Sequence, residues 1–236
     1  MTPDPDWFDR LPRDRLLAEV SLWSADLGRL AHDIARVDPH ADLYHIDVAD
    51  GHFSPTLLFF PDLVAAIRAQ TATPLHVHLM ATDDILATQI DDVAAAAADL
   101  ISIHAENGDV DGTLALIERR GLAAGLVLQL HTPVAAAAPY LGRIRLLTLL
   151  GTRIGIKGQA LDPAAEPRLR AARALLAELA GGRRVLLGAD GGIRAHTVPG
   201  LRRAGADTIV MGSLAFGAAD LGARMAWVHA QPLEPD

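Results

Sequence analysis

Short apolar runs alternate along the chain with longer segments rich in Ala, Leu and Arg. The short runs have the length of buried strands, and the longer segments have the spacing of helices that bury one face. Strands are predicted at 17–23, 43–48, 74–80, 100–104, 123–129, 145–151, 184–189 and 207–211. Helices are predicted near 25–37, 61–70, 83–97, 110–120, 134–140, 164–180, 195–204 and 217–230.

This alternation of strands and helices predicts parallel strand pairing, because each helix carries the chain back to the same edge of the sheet. The strands are almost continuously apolar, which is typical of strands buried on both faces. Eight such units in 236 residues predict a (β/α)8 barrel, the TIM barrel of the α/β class. We expect a single domain over 1–236, in which residues 1–16 form an N-terminal extension that acts as a barrel plug or an oligomer contact.

Composition narrows the function classes. The net charge of −8 argues against nucleic acid or an anionic membrane as the main partner. There is no cysteine, the N-terminus is polar and acidic, and no run approaches 18 uncharged apolar residues, so we expect a cytoplasmic protein that does not enter the membrane. Lys157 is the only lysine beside 20 arginines, so any chemistry that needs a lysine depends on it.

Polar side chains occur where the predicted strands end, which is where barrels of this kind carry their chemistry. His45 and Asp47 are two residues apart and therefore share one face of a strand. His78 and Asp190 end two other strands. Two imidazoles and two carboxylates can hold one divalent cation, and this donor set leaves Zn, Mn, Fe and Co open. Alternatively, each side chain is a polar group that its neighbours satisfy.

Other polar residues have less specific signals. His76 is on the same face as His78 but two residues deeper, so we expect it in the core or as a support for a ligand. For His104, at the end of the fourth strand, both a role in the site and a place in the core remain open. Glu106, His52 and His131 are predicted to be loop residues.

Several motifs occur in order over about 18–218: SLWSADL, HIDVADGHFSP, PLHVHLM, ISIHAE, GIKGQ, ADGGI and VMGSLAFG. Together they resemble the ribulose-phosphate 3-epimerase family, including its allulose-6-phosphate 3-epimerase-like members. The resemblance implies a ribulose-phosphate-binding (β/α)8 barrel that inverts C3 of a ketose phosphate. It also implies that His45, Asp47, His78 and Asp190 bind one divalent metal, and that Asp47 and Asp190 are the acid and base. Family members form dimers or larger assemblies, so a homo-oligomer is expected.

This chemistry accounts for the residue types. Inversion at C3 removes a proton next to a carbonyl, forms a cis-enediolate and returns a proton to the opposite face. A cation can stabilise the developing negative charge, and two carboxylates can act in turn as base and acid.

The substrate phosphate needs an anchor, which glycine backbone amides can provide. The residues predicted to contact the sugar phosphate are Ser21, His78, Met80, Gly155, Lys157, Gly158, Gly191, Gly192, Gly212 and Ser213. For the glycines alone, simple turn geometry is an equal explanation.

The chain departs from the family pattern around the sugar. The loop after the sixth strand reads RIGIKGQ where the family has N-P-G-F-G-G-Q, so Lys157 replaces a glycine. Ala49 and Leu150 stand where the family has methionines, and Thr56 where it has asparagine. The fifth strand ends in LQL where the family has L-N-P. The sequence therefore indicates the reaction more firmly than the sugar, and pentulose 5-phosphate, hexulose 6-phosphate and tetrulose phosphate remain open.

Two enzymatic alternatives and one binding alternative stand beside this prediction. A decarboxylase of the orotidine-phosphate type would need Asp-x-Lys-x-x-Asp at strand two, and the chain has no lysine there. A ketose-phosphate lyase or aldolase would form a Schiff base on Lys157. A non-catalytic barrel would bind metal or ligand without proton transfer.

Overall fold

The computed structural model describes residues 6–233, so the first five residues of the predicted extension and the last three of the chain lie outside it. Eight parallel strands form a closed barrel in chain order. They are β1 (Leu17–Ser21), β2 (Leu43–Ala49), β3 (Leu75–Met80), β4 (Leu100–His104), β5 (Ala123–Leu128), β6 (Leu146–Leu150), β7 (Leu186–Asp190) and β8 (Thr208–Met211). β1 pairs with β8 in parallel and closes the barrel, with Leu17 opposite Thr208. The predicted TIM barrel is confirmed.

The helices are α1 (Trp7–Arg10), α2 (Leu30–Val37), α3 (Pro61–Arg68), α4 (Asp83–Ala95), α5 (Val110–Arg119), α6 (Ala165–Leu179), α7 (Val198–Arg203), α8 (Ser213–Phe216) and α9 (Leu221–His229). Except for α1, which precedes β1, the helices lie between the strands or after β8 in chain order. A large apolar cluster lies between strands and helices, which explains why the strands carry no polar alternation on their outer faces. Within residues 6–233, no helix is long and apolar enough to cross a bilayer.

Some predicted elements have different types or ends. The segment predicted as a helix at 134–140 is the 3-10 helix Val134–Tyr140, which contains Pro139 and therefore lacks one backbone donor. β1 ends at Ser21, and a 3-10 turn, Leu22–Ser24, follows it. β7 begins at Leu186 and ends at Asp190, where the prediction was 184–189.

The described part of the N-terminal extension closes the bottom of the barrel. Phe8 and Leu11 are buried against a layer of leucines from the starts of the strands. Arg184 donates hydrogen bonds to the carbonyl oxygens of Phe8, Leu11 and Pro12. Its guanidinium also lies 5.3 Å from the centre of the Phe8 ring. The described part of the extension therefore packs against the amino ends of the strands.

A buried ion pair ties α3 to the strands. Arg68 Nη1 is 2.7 Å from Asp99 Oδ2, and the two residues are only 4% and 3% exposed. Asp99 also accepts from the backbone N–H of Leu75, while Arg68 donates to the carbonyls of Thr71 and Thr73. Burial raises the pKa of Asp99 even with these partners, so its charge depends on them.

We expect Arg68→Met to lower the free energy of unfolding by about 3 kcal/mol or more, because it leaves a buried carboxylate without its cation. Urea denaturation would measure this loss. Arg120→Met is the matched control, since its pair with Asp91 is on the surface and should contribute little. Equal midpoints for the two variants would contradict a stabilising role of the buried pair.

Candidate active site

A cavity of about 330 Å³ opens at the carboxyl ends of the strands. It contains every residue that the sequence predicted to contact a sugar phosphate, together with both aspartates predicted to move protons. These lining residues are Ser21, Asp47, His78, Met80, Gly155, Lys157, Gly158, Asp190, Gly191, Gly192, Gly212 and Ser213. His45 lies just beneath the cavity floor and is fully buried.

His45, Asp47, His78 and Asp190 form one cluster, whose potential ligand atoms all lie within 4.8 Å of one another. Asp47 Oδ1 is 3.2 Å from His45 Nε2 and 3.2 Å from His78 Nδ1. Asp190 Oδ2 lies farther out, 4.0 Å from His45 Nε2 and 3.9 Å from His78 Nδ1. The register explains the convergence, because Asp47 on β2 is directly opposite His78 on β3.

Each imidazole of the cluster turns one nitrogen to the centre and the other to a partner behind it. Behind His45, Nδ1 is 2.6 Å from Glu19 Oε1. Behind His78, Nε2 is 2.8 Å from His104 Nε2, and His104 Nδ1 is 3.1 Å from Glu106 Oε2. The inward nitrogens are thus available as donors to a cation, and two nitrogens with two carboxylates suit a borderline divalent metal. The residues present therefore fit one divalent ion.

The two aspartates have different electrostatic surroundings. Burial alone would raise the pKa of Asp47, but contacts with His45 and His78 hold it well below its usual range. Burial raises the pKa of Asp190, His45 opposes the rise, and the charge of Asp47 adds to it. Ser21 Oγ also donates to Asp47 Oδ2 at 3.1 Å. One carboxylate is therefore held in place by several bonds, while the other is looser and 19% exposed.

His76 is deeper in the barrel, where its spacing predicted it. It is fully buried, with Nδ1 2.5 Å from Glu19 Oε1 and Nε2 2.7 Å from Ser102 Oγ. His104, left open from the sequence, lies behind His78, and burial lowers its pKa to about 4. Glu106 also binds Thr132, so the loop after β4 supports the cluster from outside.

The loop after β6 forms one wall of the cavity. Lys157 Nζ donates a hydrogen bond to the carbonyl of Trp23 at 2.5 Å and lies 4.6 Å from the centre of the Trp23 ring. Burial lowers the pKa of Lys157, against the opposing charge of Asp47. Thr56, a departure from the family pattern, donates to the carbonyl of Gly155 at 2.5 Å and so joins two loops at the mouth.

The backbone conformation after β7 explains why glycines occur there. Gly191 and Gly192 have φ of +88° and +71°, and a Cβ on Gly192 would come within 2.7 Å of the backbone of Leu161. Turn geometry alone requires glycine there. Both residues also line the cavity, so turn geometry and anion binding are compatible at these positions.

Sequence reasoning missed Glu19, Trp23 and Arg194. Glu19 is the only charged residue in the apolar run of β1, and that isolation was the available signal. Trp23 and Arg194 both line the cavity, but in the sequence they occur in loops without any special spacing. Only the fold brings them to the mouth.

A closed (β/α)8 barrel with a buried His/Asp cluster at its mouth is typical of barrel enzymes that act on small molecules. The model of the ribulose-phosphate 3 epimerase family matches residues 17–216. Ribulose-phosphate 3-epimerase 1 of Cupriavidus necator is 40% identical over 204 residues, covering 85% of this chain and 84% of the relative. Ribulose-phosphate 3-epimerase of Bacillus subtilis is 36% identical over 202 residues, covering 85% and 92%.

The chain belongs to the ribulose-phosphate 3-epimerase family. The resemblance predicted from the motifs is confirmed, and with it the prediction of an enzyme of the isomerase class. Among solved structures, 3-hexulose-6-phosphate synthase superposes with a TM-score of 0.64 at 18% identity, over 92% of this chain and 99% of that one. Orotidine 5'-phosphate decarboxylase of Pyrococcus horikoshii superposes with a TM-score of 0.63 at 14% identity, over 90% of this chain and 97% of that one. These two likenesses concern the fold alone.

Proposed function

We propose that the chain is a metal-dependent epimerase that inverts C3 of a ketose phosphate. The observation that carries this proposal is the pair of carboxylates, Asp47 and Asp190, which share one cluster with two imidazoles inside the cavity. Inversion next to a carbonyl needs two groups that can each take up and return a proton, and carboxylates do so. The curated relatives named as ribulose-phosphate 3-epimerases support the same reaction.

The placement of the residues supports the following roles. Asp47 and Asp190 are proposed to remove the C3 proton on one face and to return a proton on the other. His45, Asp47, His78 and Asp190 would hold one divalent ion, Zn, Mn, Fe or Co. When bound, this ion supplies Lewis acidity that lowers the cost of negative charge on the sugar oxygens. Because both aspartates would also be metal ligands, their proton equilibria are coupled, and neither acts as an independent acid.

The phosphate is proposed to lie against the loops after β6, β7 and β8. The backbone amides of Gly191, Gly192 and Gly212, with Ser213, offer donors without a fixed charge. Lys157 adds a cation from the loop after β6, and Arg194 follows the glycines after β7. In a chain of net charge −8, cations at the mouth favour an anionic substrate over a neutral sugar.

The sugar itself is proposed only as a class. One candidate is a pentulose 5-phosphate such as ribulose or xylulose 5-phosphate, and the relatives' names include ribulose phosphate. Hexulose 6-phosphate and tetrulose phosphate remain open, because Leu150, which replaces a methionine of the family pattern, lines the cavity together with Met80. A C3-epimerisation assay across tetrulose, pentulose and hexulose phosphates, with metal content measured on the same sample, tests the proposal. No turnover of any of the three by metal-loaded protein would contradict it.

The alternative of a lyase or aldolase depends on Lys157, which lies in the same cavity as Asp47. We expect borohydride treatment in the presence of a ketose phosphate to leave Lys157 unmodified, because its Nζ is committed to the Trp23 carbonyl and the Trp23 ring. Mass spectrometry of the digested chain would measure this. A covalent adduct on Lys157 would instead support the Schiff-base alternative.

The homo-oligomer and the cytoplasmic location stay predictions. Light scattering on the purified chain tests the oligomeric state.

The alternative of a barrel that binds metal or ligand without proton transfer is tested by exchange of the C3 hydrogen with solvent. Exchange at C3 would exclude that alternative.

A further inference from the structure

Glu19 is a buried carboxylate that the proposed reaction does not use. It is in the middle of β1 and is 1% exposed. It does not line the cavity, so it has no access to a substrate, yet it lies directly behind the His/Asp cluster. A buried charge of this kind is costly unless it is paired and hydrogen-bonded. Its partners therefore indicate what it does.

Three other strands fix this carboxylate. Oε1 is 2.6 Å from His45 Nδ1 on β2 and 2.5 Å from His76 Nδ1 on β3, while Oε2 accepts from Thr208 Oγ1 on β8 at 3.2 Å. His76 is held in turn through its Nε2, 2.7 Å from Ser102 Oγ. The carboxylate cannot turn without breaking several of these contacts at once.

These contacts determine which nitrogen of His45 carries a proton. A carboxylate oxygen at 2.6 Å only accepts, so Nδ1 of His45 must be the donor. Nε2 faces the cluster, 3.2 Å from Asp47 Oδ1 and 4.0 Å from Asp190 Oδ2, so it is the nitrogen that can give its lone pair to a cation bound there. A carboxylate behind an imidazole also makes the opposite nitrogen a stronger donor.

Glu19, His45 and His76 could themselves be mistaken for a second cation site, since their potential ligand atoms lie close together. The distances favour hydrogen bonds instead. Ligands about 2.0–2.1 Å from a tetrahedral metal are roughly 3.3 Å apart. The separations here are 2.6 and 2.5 Å, which suit N–H···O bonds.

We propose that Glu19 is a positioning residue, which fixes the Nδ1–H tautomer and the orientation of His45 and thereby sets the affinity of the cluster for its divalent cation. This inference depends on the proposed function, because it requires the cluster to bind a cation. The other inward imidazole, His78, has weaker support. The partner of its outer nitrogen is the imidazole of His104, not a carboxylate. The carboxylate of Glu106 lies behind His104, and the Glu106 side chain is 25% exposed.

The test measures metal affinity and stoichiometry, independently of turnover. Zn²⁺ is titrated into metal-free protein at fixed pH in competition with a chromophoric chelator. Glu19→Gln keeps the shape and one acceptor but removes the charge, and we expect it to weaken Zn²⁺ binding about 10- to 100-fold at one site per chain. Glu106→Gln should weaken binding less, because it acts through His104.

Thr148→Val is the matched control. Thr148 is buried on β6, and its Oγ1 has no hydrogen-bond partner within the described part of the chain. Removal of that hydroxyl changes a buried polar group without touching the cluster, so Zn²⁺ affinity should stay within about twofold. Urea unfolding of the metal-free variants separates a loss of stability from a loss of affinity.

The outcomes distinguish the two proposals. Wild-type chain that binds Zn²⁺ tightly while Glu19→Gln binds it equally well would overturn the role of Glu19 alone. Wild-type chain that binds no divalent ion would overturn both this role and the proposed metal site. Two ions per chain, falling to one in Glu19→Gln, would make Glu19 a ligand and not a positioning residue.

A second measurement needs no variant at Glu19, in case that variant does not fold. Long-range ¹⁵N–¹H spectra of the zinc-loaded wild-type chain report which nitrogen of each histidine carries hydrogen. We expect His45 to carry it on Nδ1, with Nε2 bound to zinc. A spectrum with the proton of His45 on Nε2 would overturn the inference.

Discussion

Asp190→Asn is expected to lower kcat by about 1,000-fold or more, because a positioned acid or base typically contributes about 100- to 10,000-fold and this residue is also a proposed ligand. Asparagine has the same shape but cannot take up a proton at neutral pH. If the two aspartates serve opposite faces, the loss should be directional. Asp47 would still exchange the C3 hydrogen of one epimer with solvent, slowly, while net inversion stops.

Asp190 is a cleaner target than Asp47. It reaches the two imidazoles only at 4.0 and 3.9 Å, whereas Asp47 contacts His45, His78 and Ser21 at 3.2, 3.2 and 3.1 Å. Burial raises the pKa of Asp190, so its charge is unfavourable in the metal-free fold. The variant should therefore unfold at the same urea concentration as the wild type or a higher one.

Asp109→Asn is a suitable control for this change. Asp109 caps α5 near the same end of the barrel by accepting from the N–H of Gly112, and asparagine caps helices equally well. It does not line the cavity, so kcat should be unchanged. The test is to measure kcat by steady-state kinetics, together with metal content, for both variants and the wild type. Near-full activity of Asp190→Asn would show that the two-carboxylate mechanism is wrong.

Removal of the metal is expected to have an effect of similar size. After dialysis against a strong chelator, we expect activity to fall by about 100-fold or more, because the charge of the enediolate then has no cation to stabilise it. Far-UV circular dichroism should be unchanged, since the buried cluster stays connected through Ser21, Glu19 and His104.

Titration of Zn, Mn, Fe and Co back into the same sample should restore activity and rank the four ions. Measurement of metal content before and after dialysis is part of the experiment. Full activity at about 0.1 ion per chain or less would contradict a metal-dependent reaction, since one ion per site is required. Loss of the circular dichroism signal would instead make the metal structural.

The fold could be predicted well because its two main signals are local. Continuous apolar runs mark strands buried on both faces, and their alternation with helices fixes parallel pairing. The errors occur where local chemistry overrides this pattern. Pro139 removes one backbone donor from the Ala-rich 134–140 segment, which forms a 3-10 helix, and β7 spans Leu186–Asp190 where 184–189 was predicted.

The residues of the His/Asp cluster could be predicted from the positions of the strand ends and from the alternation of side chains between the two faces of a strand. His45 and Asp47 share a face by spacing, and the ends of β3 and β7 bring His78 and Asp190 to the same mouth. The support of that site was not predictable. Contact between Glu19 and His45 depends on the register of β1 with β2, in which Glu19 is opposite Leu43 and Ser21 is opposite His45. One residue of slip would turn Glu19 away from the barrel interior.

The loops were the least predictable part. The contact of Lys157 with Trp23 joins residues 134 positions apart, and the bond from Thr56 to Gly155 joins residues 99 positions apart. Nothing in either local sequence specifies its partner. These contacts shape the wall around the sugar, which is why the reaction can be inferred from the sequence more closely than the substrate.

The most direct test of the central claim is the transfer of hydrogen at C3. The metal-loaded chain is incubated in deuterated water with a pentulose 5-phosphate, and in parallel with a hexulose 6-phosphate and a tetrulose phosphate. We predict that at least one of these substrates is converted to its C3 epimer and that the product carries deuterium at C3 and at no other carbon. Recovery of every substrate without inversion and without deuterium at C3 would contradict the assignment of Asp47 and Asp190 as the groups that move the proton.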